Sequence, residues 1–295
     1  MKIKGKTALV AGATRGIGLA IARKLAAAGA RLIMPWHDWP EDARAVGEEF
    51  ARRSPEHLLV KADLRDPEAV AELLRTVRDS HGCLHILVNN IERGGMPVVH
   101  GSYEREINRE QWQLELDTTL LAKRLLFAAA LPLLREAERA TVINISSIAA
   151  LVGRAGPAGL IFNDGYAAAN RGISTLTATW ARLGAPHITV NELMLGLFDT
   201  RHGKGTRGWQ ALTPSERKQL LAHILAGRTG RPEEAAKAVL FLIREAEYMT
   251  GSVLRLDGGY VLGGEAVLPV PRGILEDYPR FSRESSPGDG AGYSR

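Results

Sequence analysis

Seven short, nearly unbroken apolar runs alternate along this chain with longer stretches of helical periodicity, and that alternation narrows the fold more than any other feature. The runs are Thr7–Ala11, Arg31–Met34, His57–Val60, His85–Val88, Thr141–Ile145, Ile188–Leu193 and Ser252–Leu256. A strand apolar at successive positions is buried on both faces, which is the condition of a parallel sheet covered by helices on either side. Helix starts are legible between the runs. Asp66 before Pro67, Thr213-Pro214-Ser215-Glu216 and Pro232-Glu233-Glu234 each read as a capped N-terminus, and Gly29 stands where the first helix should stop. Strand–helix–strand crossovers are right-handed, so the expectation is an α/β, Rossmann-like, doubly wound parallel sheet of about seven strands in a single domain.

That domain is expected over residues 1–268, with 269–295 as a partly disordered C-terminal extension, since Ser282 to Gly292 is low in complexity. Two further stretches break the regularity. Gly153 to Gly165 reads as a loop beside the fifth strand, and Arg201 to Thr213, with three glycines around basic residues and Trp209, reads as a lid.

Apolar residues at 45% and charged residues at 24% suit a globular core and exclude a wholly disordered chain. The lone Cys83 cannot form an internal disulfide, and no Cys/His cluster offers a metal site. The N-terminus has no signal-peptide pattern, and the longest apolar stretch, Leu125 to Leu134, is ten residues including Pro132, short of the roughly 20 that span a bilayer. A cytoplasmic protein with no membrane partner is expected. The net charge of +5 does not gather in a basic tail or an aromatic-laced basic run, so it points to solvated helix faces and phosphorylated small ligands and not to nucleic acid.

The strongest local signal is Ala11-Gly12-Ala13-Thr14-Arg15-Gly16-Ile17-Gly18, which follows the first strand and opens the first helix. Glycines there permit a tight turn and let backbone N–H groups approach a pyrophosphate, while the helix N-terminus supplies about half a positive charge. In that context the turn reads as a dinucleotide site.

With this turn in place, residues 3 to 262 resemble the short-chain dehydrogenase/reductase family. Gly12, Gly16 and Gly18 look like its cofactor turn, Ala62-Asp63-Leu64 like its adenine-contacting pair, and Leu87-Val88-Asn89-Asn90 like the start of its Asn-Asn-Ala-Gly element. Asn144-Ile-Ser-Ser147 and Tyr166 look like its catalytic serine and tyrosine, and Tyr248-Met-Thr-Gly251 with Leu256-Asp-Gly-Gly259 like its closing strand. The resemblance implies cofactor contacts from Gly12, Thr14, Arg15, Gly16, Ile17, Gly18, Trp36, His37, Asp63, Leu64, Asn89, Asn90, Tyr166, Asn170, Gly196 and Thr200. It implies catalytic positions at Ser147, Tyr166, Asn170 and Thr119, and a homodimer or homotetramer through the helices about 109–136 and 166–183.

The departures are as informative. Asn170 stands where the family has lysine one turn after the tyrosine, and Thr119 where it has an asparagine. Ile91-Glu92 replaces Ala-Gly, Leu195-Gly196 replaces Pro-Gly, and Ser147 and Tyr166 lie about six residues further apart than usual. A phenol has a pKa near 10, and a unit charge about 4 Å away at an effective dielectric of about 20 is worth roughly 4 kcal/mol, or about three pKa units. Asn170 can bond a ribose hydroxyl but cannot supply that charge. Lys123, four residues after Thr119, is a candidate substitute cation, although an exposed or interface lysine is the plainer reading; Arg154, Arg171, Arg201, His202 and Lys204 are others.

Cofactor choice turns on the end of the second strand. An aspartate there would accept from the 2′-hydroxyl of NAD(H) and repel a 2′-phosphate. That place is Trp36, followed by His37 and Asp38, while Arg15 within the turn suits a 2′-phosphate, so NADP(H) is favoured over NAD(H). The expected function is an NADP(H)-dependent oxidoreductase acting on a carbonyl or alcohol of a small-molecule substrate. The alternative is a non-redox descendant: a cofactor-binding sensor or structural partner, or an isomerase or lyase using the same pocket.

Overall fold

In the computed structural model, which describes residues 1–91, 112–200 and 212–269, the strand that leads into the glycine turn lies in the middle of the sheet. It is β1 (Thr7–Val10), flanked by β2 (Arg31–Trp36) and β4 (Ile86–Asn89). Beyond them come β3 (Leu58–Lys61) on one side and β5 (Ala140–Ser147), β6 (Ile188–Leu195) and β7 (Val253–Leu256) on the other, giving the order β3-β2-β1-β4-β5-β6-β7 with every pair parallel. The chain winds outward from β1 to β3, then crosses back to β4 and winds the other way. Ligands of such sheets bind at that switch, outside the carboxyl ends of the strands.

The sequence explains both coverings. Along β1, Ala8 and Val10 join one core and Leu9 the other, which is why the strand is apolar at every position. The first core packs against α1 (Gly16–Ala27), α2 (Pro40–Ala51) and α8 (Pro232–Arg244), through Ile21, Leu25, Phe50 and Val239. The second packs against α3 (Pro67–His81), α4 (Ala122–Arg135) and α6 (Asp164–Gly184), where Phe127 and Trp180 stack with ring centroids 4.2 Å apart. A third cluster, with Ile148, Ala158, Phe162, Tyr166, Met194, Leu220 and Tyr260, lies beyond the strand ends with α5 (Ala149–Val152) and α7 (Pro214–His223).

The expected helix boundaries are present. Asp66 accepts from Glu68 N at 3.0 Å, Thr213 and Glu216 form a capping box, and Gly29 turns the chain after α1 with φ +86°. The expected loop from Gly153 to Gly165 holds a 3₁₀ turn, Pro157–Leu160, pinned where Ala158 N donates to the Tyr260 hydroxyl at 2.7 Å. One π-helical turn, Leu116–Leu121, precedes α4. Such turns widen a helix locally and often mark functional positions.

Met1–Gly263 form one compact unit carrying all these elements, and Gly264–Arg295 form a second. Of the extension expected over 269–295, the part from residue 270 lies outside the described residues, as do Glu92 and the lid expected from Arg201, up to residue 211. No described helix is long and apolar enough to cross a membrane.

Candidate active site

The glycine turn is made almost wholly of backbone. A Cβ on Gly18 would overlap the Gly12 carbonyl oxygen and stand 2.6 Å from Asn90 Nδ2, which itself donates to that carbonyl at 3.3 Å. Gly18 therefore permits the turn to close, and Asn90 ties it to the end of β4. Gly16 has φ +56°, and a Cβ there would lie 3.2 Å from Thr200 Cγ2, so Thr200 lies against the turn from the far side of the switch point. Helix α1 has no side-chain cap and no acidic residue in its first turn, leaving its N–H groups and positive dipole end to an external anion. Thr14 is buried and Ile17 half-buried at this helix start.

Basic groups gather at the end of β2. The Arg15 guanidinium lies 3.8 Å above the Trp39 ring, whose residue adopts a left-handed φ of +66°. Arg65 holds the Asp63 carboxylate through its Nε at 2.9 Å and Nη2 at 2.6 Å, and keeps that carboxyl below the usual carboxylate range. His37 sits 3.6 Å from Asp63 and 3.9 Å from Asp38, and Lys61 Nζ lies 5.7 Å from the Trp36 ring centroid. The Asp38 side chain is 76% exposed. Asp63 is thus occupied by Arg65, and Leu64 beside it is buried. Gly196 answers to packing: a Cβ there would stand 2.6 Å from Asp257 Cα in the turn after β7.

The opposite end is built from side chains. Asn89, Asn144 and Glu192 lie in register across β4, β5 and β6, on the face covered by α4 and α6. Asn89 Nδ2 donates to Asn144 Oδ1 at 2.9 Å, and Asn144 Nδ2 to Thr177 Oγ1 at 2.8 Å. Glu192 Oε1 accepts from the hydroxyls of Ser146 and, at 3.2 Å, Ser174. Burial pushes the Glu192 carboxyl above the usual carboxylate range, outweighing those two hydroxyls and the nearby cations Lys123 and Arg171.

Ser147 ends β5 and Tyr166 stands in the first turn of α6, and both are buried. Ser147 Oγ accepts from Ala149 N at 3.2 Å, which fixes its acceptor side and leaves its O–H for another partner. Tyr166 starts α6 under the Asn163 cap, whose Oδ1 accepts from Tyr166 N at 2.7 Å. Asn170, one turn on, donates from Nδ2 to Tyr166 O at 2.9 Å, and its fully buried Oδ1 has no partner among the described residues. Thr119 lies in the π turn with its hydroxyl 3.5 Å from Glu115 Oε2, and Glu115 Oε1 accepts from Asn163 Nδ2 at 3.4 Å.

One expectation is corrected here. Lys123, read from the sequence as an exposed or interface lysine, is 1% exposed, and its Nζ donates to Ile145 O at 2.8 Å. The π turn and α4 face the sheet, so a residue one turn after Thr119 points inward. Sequence reasoning also missed Glu192, Glu115 and Trp39. For Glu192 the signal was available: an acid within the apolar run Ile188–Leu195 of an interior strand needs a buried partner. Among the described residues no group of three or more His, Cys, Asp or Glu side chains could hold a metal ion.

Comparison with known proteins agrees with this architecture. A family model described as enoyl-(acyl carrier protein) reductase matches residues 12–261. The chain is 32% identical over 266 residues to a 3-oxoacyl-acyl-carrier-protein reductase of Vibrio cholerae, spanning 88% of this chain and 98% of the relative. It is 31% identical over 261 residues to the reductase of the same name from Escherichia coli, with the same coverage. A crystal structure of a protein described as a short-chain dehydrogenase/reductase from Burkholderia xenovorans superposes with a TM-score of 0.74 at 25% identity, covering 88% of this chain and 98% of that one. A parallel sheet with its glycine turn at the switch point, matched along its length by reductases of one kind, places this chain in the short-chain dehydrogenase/reductase family of oxidoreductases.

Proposed function

We propose that the protein is an NADP(H)-dependent reductase of a ketone or aldehyde, with Tyr166 as general acid and Ser147 orienting the carbonyl oxygen. The observation that carries this reading is Asn170 Oδ1, a buried acceptor with no described partner on the helix of Tyr166. Its amide orientation follows from the bond to Tyr166 O, so the oxygen is the atom left over. A ribose hydroxyl of a dinucleotide is the kind of donor that would satisfy it. The glycine turn and the uncapped start of α1 fit the pyrophosphate, and Arg15, held over Trp39, fits a 2′-phosphate, with Arg65, His37 and Lys61 adding positive charge nearby.

When bound, the reduced nicotinamide supplies a hydride to the carbonyl carbon. The chain's own part is to handle the oxygen. The Ser147 O–H donates to it, and the Tyr166 phenol passes its proton to it as negative charge develops. The apolar cluster around Tyr166, with Ile148, Phe162 and Met194, keeps water from competing for that proton. The relatives named 3-oxoacyl-acyl-carrier-protein reductases make a 3-oxoacyl thioester the first substrate class to try. A homodimer or homotetramer in the cytoplasm is part of the same reading.

The test is NADPH oxidation against 3-oxoacyl thioesters, simple ketones and aldehydes, with wild type and Tyr166→Phe side by side. Consumption that depends on substrate and is lost in Tyr166→Phe is the expected result. Tight NADPH binding without turnover across the panel would overturn it in favour of a non-redox descendant.

A further inference from the structure

Lys123 is the one Lys, Arg or His side chain that is buried among the described residues. Removing an ammonium from water is expensive, so a lysine in that place has to be held by its surroundings. Its Nζ donates to the carbonyl of Ile145, two residues before Ser147 on β5. The π turn that leads into Lys123 presses against the segment of α6 that follows Tyr166: a Cβ on Gly172 would stand 3.0 Å from Leu120 Cδ1. The layer between these helices and the sheet is rich in acceptors, because Asn89 Oδ1, Asn170 Oδ1 and Glu192 Oε2 are buried without a described hydrogen-bond donor. An acceptor-rich layer favours a cation. Helix α6 supplies a neutral amide at Asn170 and helix α4 supplies the ammonium.

We propose that Lys123 is a positioning residue that sets the protonation of Tyr166 from the facing helix, its charge acting across the buried layer whose negative member is Glu192. This rests on the reading of Tyr166 as the general acid. An unassisted phenol ionises near pH 10, and a unit charge even ~10 Å away lowers that by about one pH unit at an effective dielectric of about 20. Among the described residues, other charged or titratable groups on the elements around Tyr166 include Glu115 and Asp117 at the π turn, Arg124 on α4, Asp164 and Arg171 on α6, Tyr260 in the same buried cluster, and Arg154, which is 3.8 Å from Asp164. His223 on α7 packs against Tyr260, 4.5 Å between centroids. Among the described residues only Lys123 combines positive charge with burial.

The test titrates Tyr166 directly, as the near-ultraviolet tyrosinate signal of each protein minus that of its Tyr166→Phe counterpart, alongside the pH profile of NADPH oxidation. The proteins are wild type, Lys123→Met, the charge-neutral pair Lys123→Met/Glu192→Gln, and that pair with Asn170→Lys added. Removing Lys123 should raise the Tyr166 ionisation by about one pH unit, and Asn170→Lys should bring it back down. If Lys123→Met alone does not fold, the charge-neutral pair carries the test, since it leaves no unpaired buried charge. A folded charge-neutral pair whose Tyr166 titrates as in wild type overturns the proposal. A wild type that reduces nothing yet shows both shifts supports the placement of charge and defeats only the reductase reading.

Discussion

The glycine turn and the layer beneath α4 and α6 solve their problems by opposite means. At the turn, backbone meets backbone: Gly18 lies under Gly12, the N–H groups of α1 are left open, and Asn90 contributes a half-buried side-chain bond to the Gly12 carbonyl. In the layer, amides, hydroxyls, an ammonium and carboxyls from three strands and two helices bond along a row from Asn89 to Glu192, with Asn89 Oδ1, Asn170 Oδ1 and Glu192 Oε2 left as acceptors. A backbone-made site tolerates almost no change, because an added Cβ has nowhere to go. A side-chain network can move a charge from one element to another and still close. The difference explains why the turn keeps the family's glycines while the layer departs from the family at Thr119 and Asn170.

If that contrast is right, the most damaging substitution lies in the turn. Gly18→Val drives a branched side chain into the Gly12 carbonyl and Asn90, and should cost ~3 kcal/mol or more of stability along with all cofactor affinity. Thermal melting and NADPH titration would show it; a stable variant that still binds would break the contrast. Gly16→Val should keep the fold and lose most cofactor affinity, because its φ of +56° and the contact with Thr200 strain only the turn.

Next in size is cofactor choice. Arg15→Ala should erase most of an NADPH-over-NADH preference worth about 1.5–3 kcal/mol, a tenfold to hundredfold ratio of affinities. Trp39→Ala should cost a smaller part, ~0.5–1 kcal/mol, by releasing the guanidinium it carries. Equal affinities in wild type would mean that Asp38 governs the site despite its exposure.

Glu192→Gln sharpens the other side of the comparison. A carboxyl whose pKa is raised by folding contributes stability below its unfolded pKa and loses it as pH rises through the folded value. The glutamine variant should therefore lose the fall in stability that wild type shows as pH rises through that folded pKa, as melting curves across pH would show.

The smallest effect lies far from both regions. His57 Nδ1 accepts from Leu32 N at 3.2 Å, and burial holds its pKa below the ordinary histidine value. A histidine with a depressed pKa contributes stability that is whole above its unfolded pKa, about 6.5, and is lost as pH falls below it. His57→Gln should flatten that acid limb slightly in the same melts.

Much of this was legible in the sequence, and the illegible part has a physical reason. The strands, the caps at Asp66 and Thr213 and the glycine turn are local: each depends on residues a few positions apart. The layer is not local. That Lys123 points inward depends on the π turn before it, and that Glu192 is answered by Ser146 and Ser174 depends on the register of β5 with β6 and on the seating of α6. Trp39 was missed because a left-handed tryptophan under an arginine leaves no pattern in spacing.

The account stands or falls on whether Asn170 belongs to a rebuilt layer or merely marks a lost lysine. In the otherwise wild-type chain, Asn170→Lys sets a second ammonium in the layer that already buries Lys123, and removes the Asn170 Oδ1 acceptor proposed for a ribose hydroxyl. Measured as kcat/KM and NADPH affinity from about pH 6 to 10, the range that brackets phenol ionisation, the variant should lose at least tenfold in one or both, a difference of about 1.4 kcal/mol. A clean gain in rate with unchanged NADPH affinity would contradict the account.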